Sequence, residues 1–261
     1  MLTLYEHPLS SYAMKAKIAL VEKGLEFHAI VPEGMMSGTT GGAFLEASPR
    51  AEIPTLIDND VSVFDSTIIL EYLEDKWPNP PLLPPSPAER ARVRMIEDVM
   101  DTLYEPNNWG LGEVLRFKRA SGAVANSLVA HSRTSVSKLQ GWLDRQLGDQ
   151  PWFNGASFGW GDVVVAPYLS RSAAAGHPPQ AGSALADWLK RASQRPSVAK
   201  AVEQMNLVMA NMPDLAAMLA KGQINRQYRD HRLEWMIAGG GIEVVQEGIE
   251  KGTIRFSRLP E

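Results

Sequence analysis

"PNPPLLPPSP", residues 78–87, divides the chain into two parts of different character. Six prolines in ten residues leave too few N–H donors for a helix or a central strand. The composition favours an extended, semi-rigid spacer instead. Before it, short strand patterns alternate with helices. After it, every periodic segment is helical.

Upstream, LTLY (2–5) reads as a strand. Residues 11–24 form an amphipathic helix with a basic last turn and a glycine stop at Gly24. LEFHAIVP (25–32) is the next strand, followed by a glycine-rich loop over 33–42. AFLEASP is a short helical turn. PTLID (54–58) and VSVFD (61–65) flank Asn59-Asp60, a hairpin signal. Residues 66–77 form a helix opened by Ser66. The order βαβ, short helix, ββ, α implies one small mixed sheet with a right-handed crossover.

Downstream, residues 88–120 read as a long helix or helix pair, bent at Pro106 or Gly110. Helices follow over 123–147, 160–175, 183–193 and 197–211. The last 40 residues predict two more, separated by Gly239, Gly240 and Gly241. The expected organisation is α+β: a first domain over 1–77, the linker, an all-helical domain over 88–220, and a helical extension over 221–261.

Composition narrows the function. The 261 residues are 44% hydrophobic and 21% charged, which suits a globular chain with a real core. A net charge of -4 does not point to nucleic acid. No apolar run approaches a membrane span, and the start has no signal-peptide pattern, so a cytoplasmic location is expected. Cysteine is absent, and the five histidines have no metal-ligand spacing. The chain therefore offers no disulfide, thiolate ligand or cysteine nucleophile, and no metal is expected. Any thiol chemistry requires a thiol supplied by a ligand.

Three motifs in the first 80 residues, ahead of a linker and a helical domain, resemble the cytosolic glutathione S-transferase family. The resemblance covers about residues 1–215. In "HPLSSYAMKAKIAL" (7–20), a strand, Pro8 and two serines precede a helix, similar to the active-site turn of the serine-type classes (zeta, theta and phi). Ser10 falls on the family's catalytic serine, with Ser11 and Tyr12 as close competitors. In "AEIPTL" (51–56), the resemblance implies that Ile53 binds glutathione through its main chain and that Pro54 is cis. The family's Asn-Pro-x-Gly is replaced upstream by Ser48-Pro49-Arg50-Ala51. In "FDSTIILEYL" (64–73), it implies that Asp65 pairs with the γ-glutamyl ammonium and that Ser66 adds a hydroxyl. "FGWGDVVVAPYL" echoes a helix cap of the family, with Gly159 in place of Ser or Thr and Asp162 retained as a structural residue.

The resemblance further implies a thioredoxin-like first domain, glutathione as cosubstrate, and a homodimer. It implies transfer of glutathione to an apolar electrophile, in a pocket walled by Tyr104, Asn108, Trp109 and Phe117. Two alternatives stand beside it. One is glutathione-dependent ether cleavage or isomerisation, and the other a non-catalytic protein-interaction module. In the tail, Arg226, Arg229 and Arg232 share a helical face, followed by Trp235 and Met236. They suit a lid, a carboxylate contact or a dimer contact, and a solvated face is the simpler reading.

Overall fold

The structure, a computed structural model, describes residues 1–35, 40–224 and 239–251. The first part contains β1 (Leu2–Tyr5), α1 (Ser11–Glu22), β2 (Phe27–Ile30), α2 (Ala43–Ala47), β3 (Thr55–Asp58), β4 (Val61–Phe64) and α3 (Ser66–Lys76). The sheet order is β2-β1-β3-β4. β1 pairs in parallel with β2, which requires the α1 crossover. β1 and β4 each pair antiparallel with β3, with Leu4 opposite Leu56. Leu2, Leu4 and Leu56 point to the side covered by α1 and α3, where Met14, Ile18, Ile69, Leu70 and Leu73 complete the core. On the other face Tyr5 packs against Phe44 at 5.2 Å.

α1 departs from its amphipathic reading. It packs against α3 and two helices of the second part, so nearly every residue from Ser11 to Leu20 is buried. Lys15, Lys17 and Lys23 are all buried with partners. Lys23 Nζ reaches Glu74 Oε1 at 2.6 Å, Trp77 O at 2.7 Å and Pro80 O at 3.1 Å.

The linker is likewise a packed segment and no free spacer. Leu82 and Leu83 are buried, Leu82 N–H donates to Glu74 Oε1 at 2.9 Å, and Leu82 O accepts from Trp160 N–H at 2.7 Å. Its last residues start a helix: Ser86 caps α4 (Pro87–Val99) in a capping box with Glu89, with Pro87 at the first helical position.

A π-helical turn, Met100–Tyr104, joins α4 to α5 (Glu105–Leu115). Pro106 lacks the N–H that a continuous helix would donate to residue 102. The wide turn lies just before it, so the irregularity expected at Pro106 or Gly110 falls one turn earlier. Then come α6 (Gly122–Leu147), α7 (Trp160–Ala174), α8 (Ala184–Ala192), α9 (Pro196–Ala210), α10 (Leu215–Ala220) and α11 (Ile242–Glu250). α7 is buried almost throughout and forms the centre of the helical part. α11 follows the triple glycine as expected. α10 was not anticipated. The other tail helix, with Arg226, Arg229, Arg232, Trp235 and Met236, lies outside the described residues. Among the described residues, no helix is long and apolar enough to cross a membrane.

Gly159 explains its own departure from the usual cap. A Cβ there would meet Asn154 Nδ2 at 1.9 Å and Leu82 O at 2.4 Å. Asp162 nevertheless reaches back to the Gly159 N–H at 3.0 Å. It also accepts from Phe153 N–H at 2.9 Å and Trp188 Nε1–H at 2.7 Å. Burial pushes its carboxyl up to about 6, against the pull of these donors.

Candidate active site

The turn after β1 presents three hydroxyls in three different states. Ser10 is the N-cap of α1, and its Oγ accepts from Ala13 N–H at 3.2 Å. Accepting uses a lone pair and leaves the hydroxyl proton available. Ser11 is the first helical residue and is buried, and its Oγ has no hydrogen-bond partner. Tyr12 OH donates to the Asp101 carbonyl at 2.9 Å, and its ring meets Tyr168 edge-on. Burial, then the nearby Glu105 and Asp101, push the phenol far above its ordinary value, so it stays protonated. His7 holds the turn through Nδ1, which accepts from Leu9 N–H at 3.2 Å. Burial lowers its pKa, in keeping with a neutral turn residue.

Opposite this turn, the Ile53–Pro54 peptide is cis, as the resemblance implies. Among the described residues, neither the N–H nor the C=O of Ile53 has a hydrogen-bond partner. A backbone amide left open beside a strand end is a ready seat for an extended peptide.

The N-terminus of α3 supplies the third element. Asp65, and not Ser66, is the cap: its carboxylate accepts from Thr67 N–H at 2.9 Å and Ile68 N–H at 3.4 Å. Asp65 has φ 76, a conformation that costs a non-glycine residue about 1–3 kcal/mol. Ser66 is buried at the first helical position. A cleft of about 500 Å³ opens beside this terminus, lined by Arg50, Phe64, Asp65 and Ile68 among others. The positive end of the helix suits an anion, while the Asp65 carboxylate, which already accepts from Thr67 and Ile68 N–H, suits a cation.

A buried polar network that sequence reasoning missed joins these pieces. Lys15 Nζ lies 2.9 Å from Glu97 Oε1 and 2.7 Å from Asp101 Oδ2. Glu97 also accepts from Thr67 Oγ1–H at 2.8 Å and Trp160 Nε1–H at 2.7 Å. Asp101 accepts from the Tyr168 hydroxyl. Burial pulls the Lys15 pKa down, but Asp101 and Glu97 outweigh it, so the amine stays charged. One chain of contacts thus runs from the α3 N-terminus to the turn that carries Ser10. A lysine in the middle of an apolar helix (Ala13, Ala16, Ile18, Ala19) was the only signal available.

The helical wall requires a correction. Tyr104 is fully buried, and its OH pairs with Ser172 Oγ at 3.0 Å and Gln140 Nε2 at 3.1 Å. Asn108 donates to Tyr168 O at 3.0 Å and accepts from Ser172 Oγ–H at 2.9 Å. Tyr104, at the end of the π-helical turn, and Asn108, on α5, are buried and held by partners on α6 and α7. Trp109 and Phe117 are half-buried.

Sequence comparison agrees with this arrangement. The profile of the glutathione S-transferase N-terminal domain matches residues 4–81, and that of the C-terminal domain matches residues 127–191. The chain is 30% identical over 200 residues to a stringent starvation protein A homolog from Coxiella burnetii, covering 75% of this chain and 88% of the relative. The chain belongs to the glutathione S-transferase family. Another member, glutathione S-transferase U26 from Arabidopsis thaliana, is 27% identical, with 77% of this chain and 88% of the relative covered. Among solved structures, a glutathione S-transferase from Methylobacterium radiotolerans JCM 2831, in complex with glutathione sulfonate, superposes with a TM-score of 0.63 at 28% identity. That match covers 77% of this chain and 94% of the other. The four-stranded mixed sheet followed by a helical domain is the fold of this family.

Proposed function

We propose that this chain is a serine-type glutathione transferase. Ser10 donates a hydrogen bond to the glutathione thiolate, and Ile53 pairs with the cysteinyl main chain. Asp65 and Ser66 hold the γ-glutamyl end. Trp109 and Phe117 contribute to the electrophile wall. The observation that carries this reading is the state of the hydroxyls. The Ser10 proton is available at the positive end of α1, whereas the Tyr12 proton is committed to Asp101. Ser11 is enclosed, at 1% exposure.

A free thiol with a pKa near 8.5 is mostly protonated at neutral pH. A donated hydrogen bond and the helix N-terminus stabilise the anion and lower that value. The thiol proton leaves to solvent. The sulfur pair then forms a C–S bond to the electrophilic carbon, and the leaving group departs with its bonding pair. Ether cleavage and isomerisation would use the same thiolate.

We further propose a cytoplasmic homodimer. Ile68 and Met95, both exposed apolar side chains, favour a partner copy over α3 and α4. A second reading is a transferase-like interaction module. It draws on the identity to a stringent starvation protein A homolog, a relative that is not named as a transferase. Calorimetric titration with glutathione separates the two. Saturable binding supports the enzyme, and none at millimolar glutathione supports the module.

A further inference from the structure

The turn that presents Ser10 is held from the helical part as well as by its own chain. Tyr168 and Arg171 lie three residues apart on α7 and so share a face. Tyr168 sets its ring edge-on to Tyr12, two residues after Ser10, at 6.1 Å. Arg171 Nη1–H donates to the carbonyl of Leu9, the residue before Ser10, at 2.8 Å. One face of α7 therefore grips both flanks of the serine.

The Arg171 contact fixes a single peptide plane. The C=O of the Leu9–Ser10 peptide accepts from Arg171, and its N–H donates to His7 O at 2.8 Å. Rotation of that plane changes the φ of Ser10, which is -84. Backbone φ and ψ limit the side-chain rotamers, so the plane helps to aim the hydroxyl. A hydrogen bond from a charged donor is about twice as strong as a neutral one, which suits a clamp. The guanidinium is also close enough to act on the turn electrostatically. Burial holds the His7 pKa down, and the charges of Arg171 and Lys17 add to this against Glu6. The lysines of α1 are committed elsewhere: Lys17 to Glu6 at 2.7 Å, and Lys15 to Glu97 and Asp101.

We infer that Arg171 is a positioning residue for Ser10: by fixing the Leu9–Ser10 peptide it aims the serine hydroxyl at the glutathione sulfur. It acts through the turn and not by contact with glutathione. This rests on the serine-type reading above and makes thiol activation depend on a residue of the helical part.

The test is ultraviolet titration of bound glutathione in R171M and R171K, and in R171M combined with S10A. The other charges facing the turn stay in place: Glu6 and Lys17 beside His7, and Glu105, Asp101 and Asp65 beside Tyr12. R171M should raise the pKa of the bound thiol by about 0.5–1 unit. At low pH, where that thiol is protonated, its glutathione affinity should stay within about threefold of wild type. R171K keeps a charged donor and should fall between. In the S10A background, R171M should add less than about 0.2 units, because the hydroxyl it aims is gone. A lower melting temperature or weaker binding with an unmoved thiol pKa would make Arg171 merely structural and overturn the inference. An equal shift with and without Ser10 would overturn it too, since the effect would then be one of charge alone. Should R171M not fold, R171Q carries the same test. A shift in S10A with none in R171M defeats the Arg171 inference alone, whereas a silent S10A defeats the serine reading and the inference with it.

Discussion

Replacing Lys15 with Met removes the only cation from a buried cluster that holds the two parts of the chain together. The Lys15 side chain is wholly buried, and Glu97 and Asp101 are 3% and 18% exposed. Removing one partner of a buried ion pair costs about 3–5 kcal/mol, because it leaves the other charge uncompensated. Here each carboxylate keeps a donor: Trp160 and Thr67 on Glu97, and Tyr168 on Asp101. The lower end of that range, about 3 kcal/mol, is therefore expected. In urea this corresponds to a midpoint shift of about 1 M or more.

The pH dependence has a definite sign. Burial already raises the Asp101 pKa, with Lys15 opposing, so K15M raises it further. A carboxyl with a raised folded-state pKa favours the folded form at low pH and loses that benefit as pH rises through its folded value. The gap between K15M and wild type should therefore narrow as pH falls from 7 towards 4. Adding D101N to K15M should restore part of the loss, with a coupling of at least about 1 kcal/mol. A K15M midpoint matching wild type in urea, or a gap that does not change with pH, would refute the reasoning.

Two further substitutions test local readings. Restoring the family's hydroxyl cap with G159S should destabilise, by about 2 kcal/mol or more, since its Cβ would collide with Asn154 and the Leu82 carbonyl. A thermal melt at or above wild type would contradict this. S11A removes a buried hydroxyl with no partner, so stability should be unchanged or higher by up to about 1 kcal/mol. A clear loss in a urea titration would reveal a partner for that hydroxyl.

Much of the fold was legible because its signals are local. The strand pattern of LTLY, the Asn59-Asp60 turn and the proline-rich linker are each local signals. Features set by distant partners were not legible. The partners of Lys15, Lys17 and Lys23 come from elsewhere in the chain, Glu97 being 82 residues from Lys15. Likewise, nothing near Tyr12 indicates that its proton goes to Asp101, 89 residues on. This kept three hydroxyls in competition. Tyr104 and Asn108 seemed suited to a pocket because aromatic and amide side chains serve there, but their partners on α7 hold them in the core.

The central claim is that Ser10 stabilises a glutathione thiolate, and its most direct test is ultraviolet titration of the bound thiol in wild type and S10A, with S11A and Y12F as controls. Wild type should bind glutathione saturably with a thiol pKa below its free value. S10A should still fold and bind, with that pKa moved back towards about 8.5, while S11A and Y12F titrate like wild type. An S10A curve that overlays wild type, with S11A or Y12F shifted instead, would contradict the assignment.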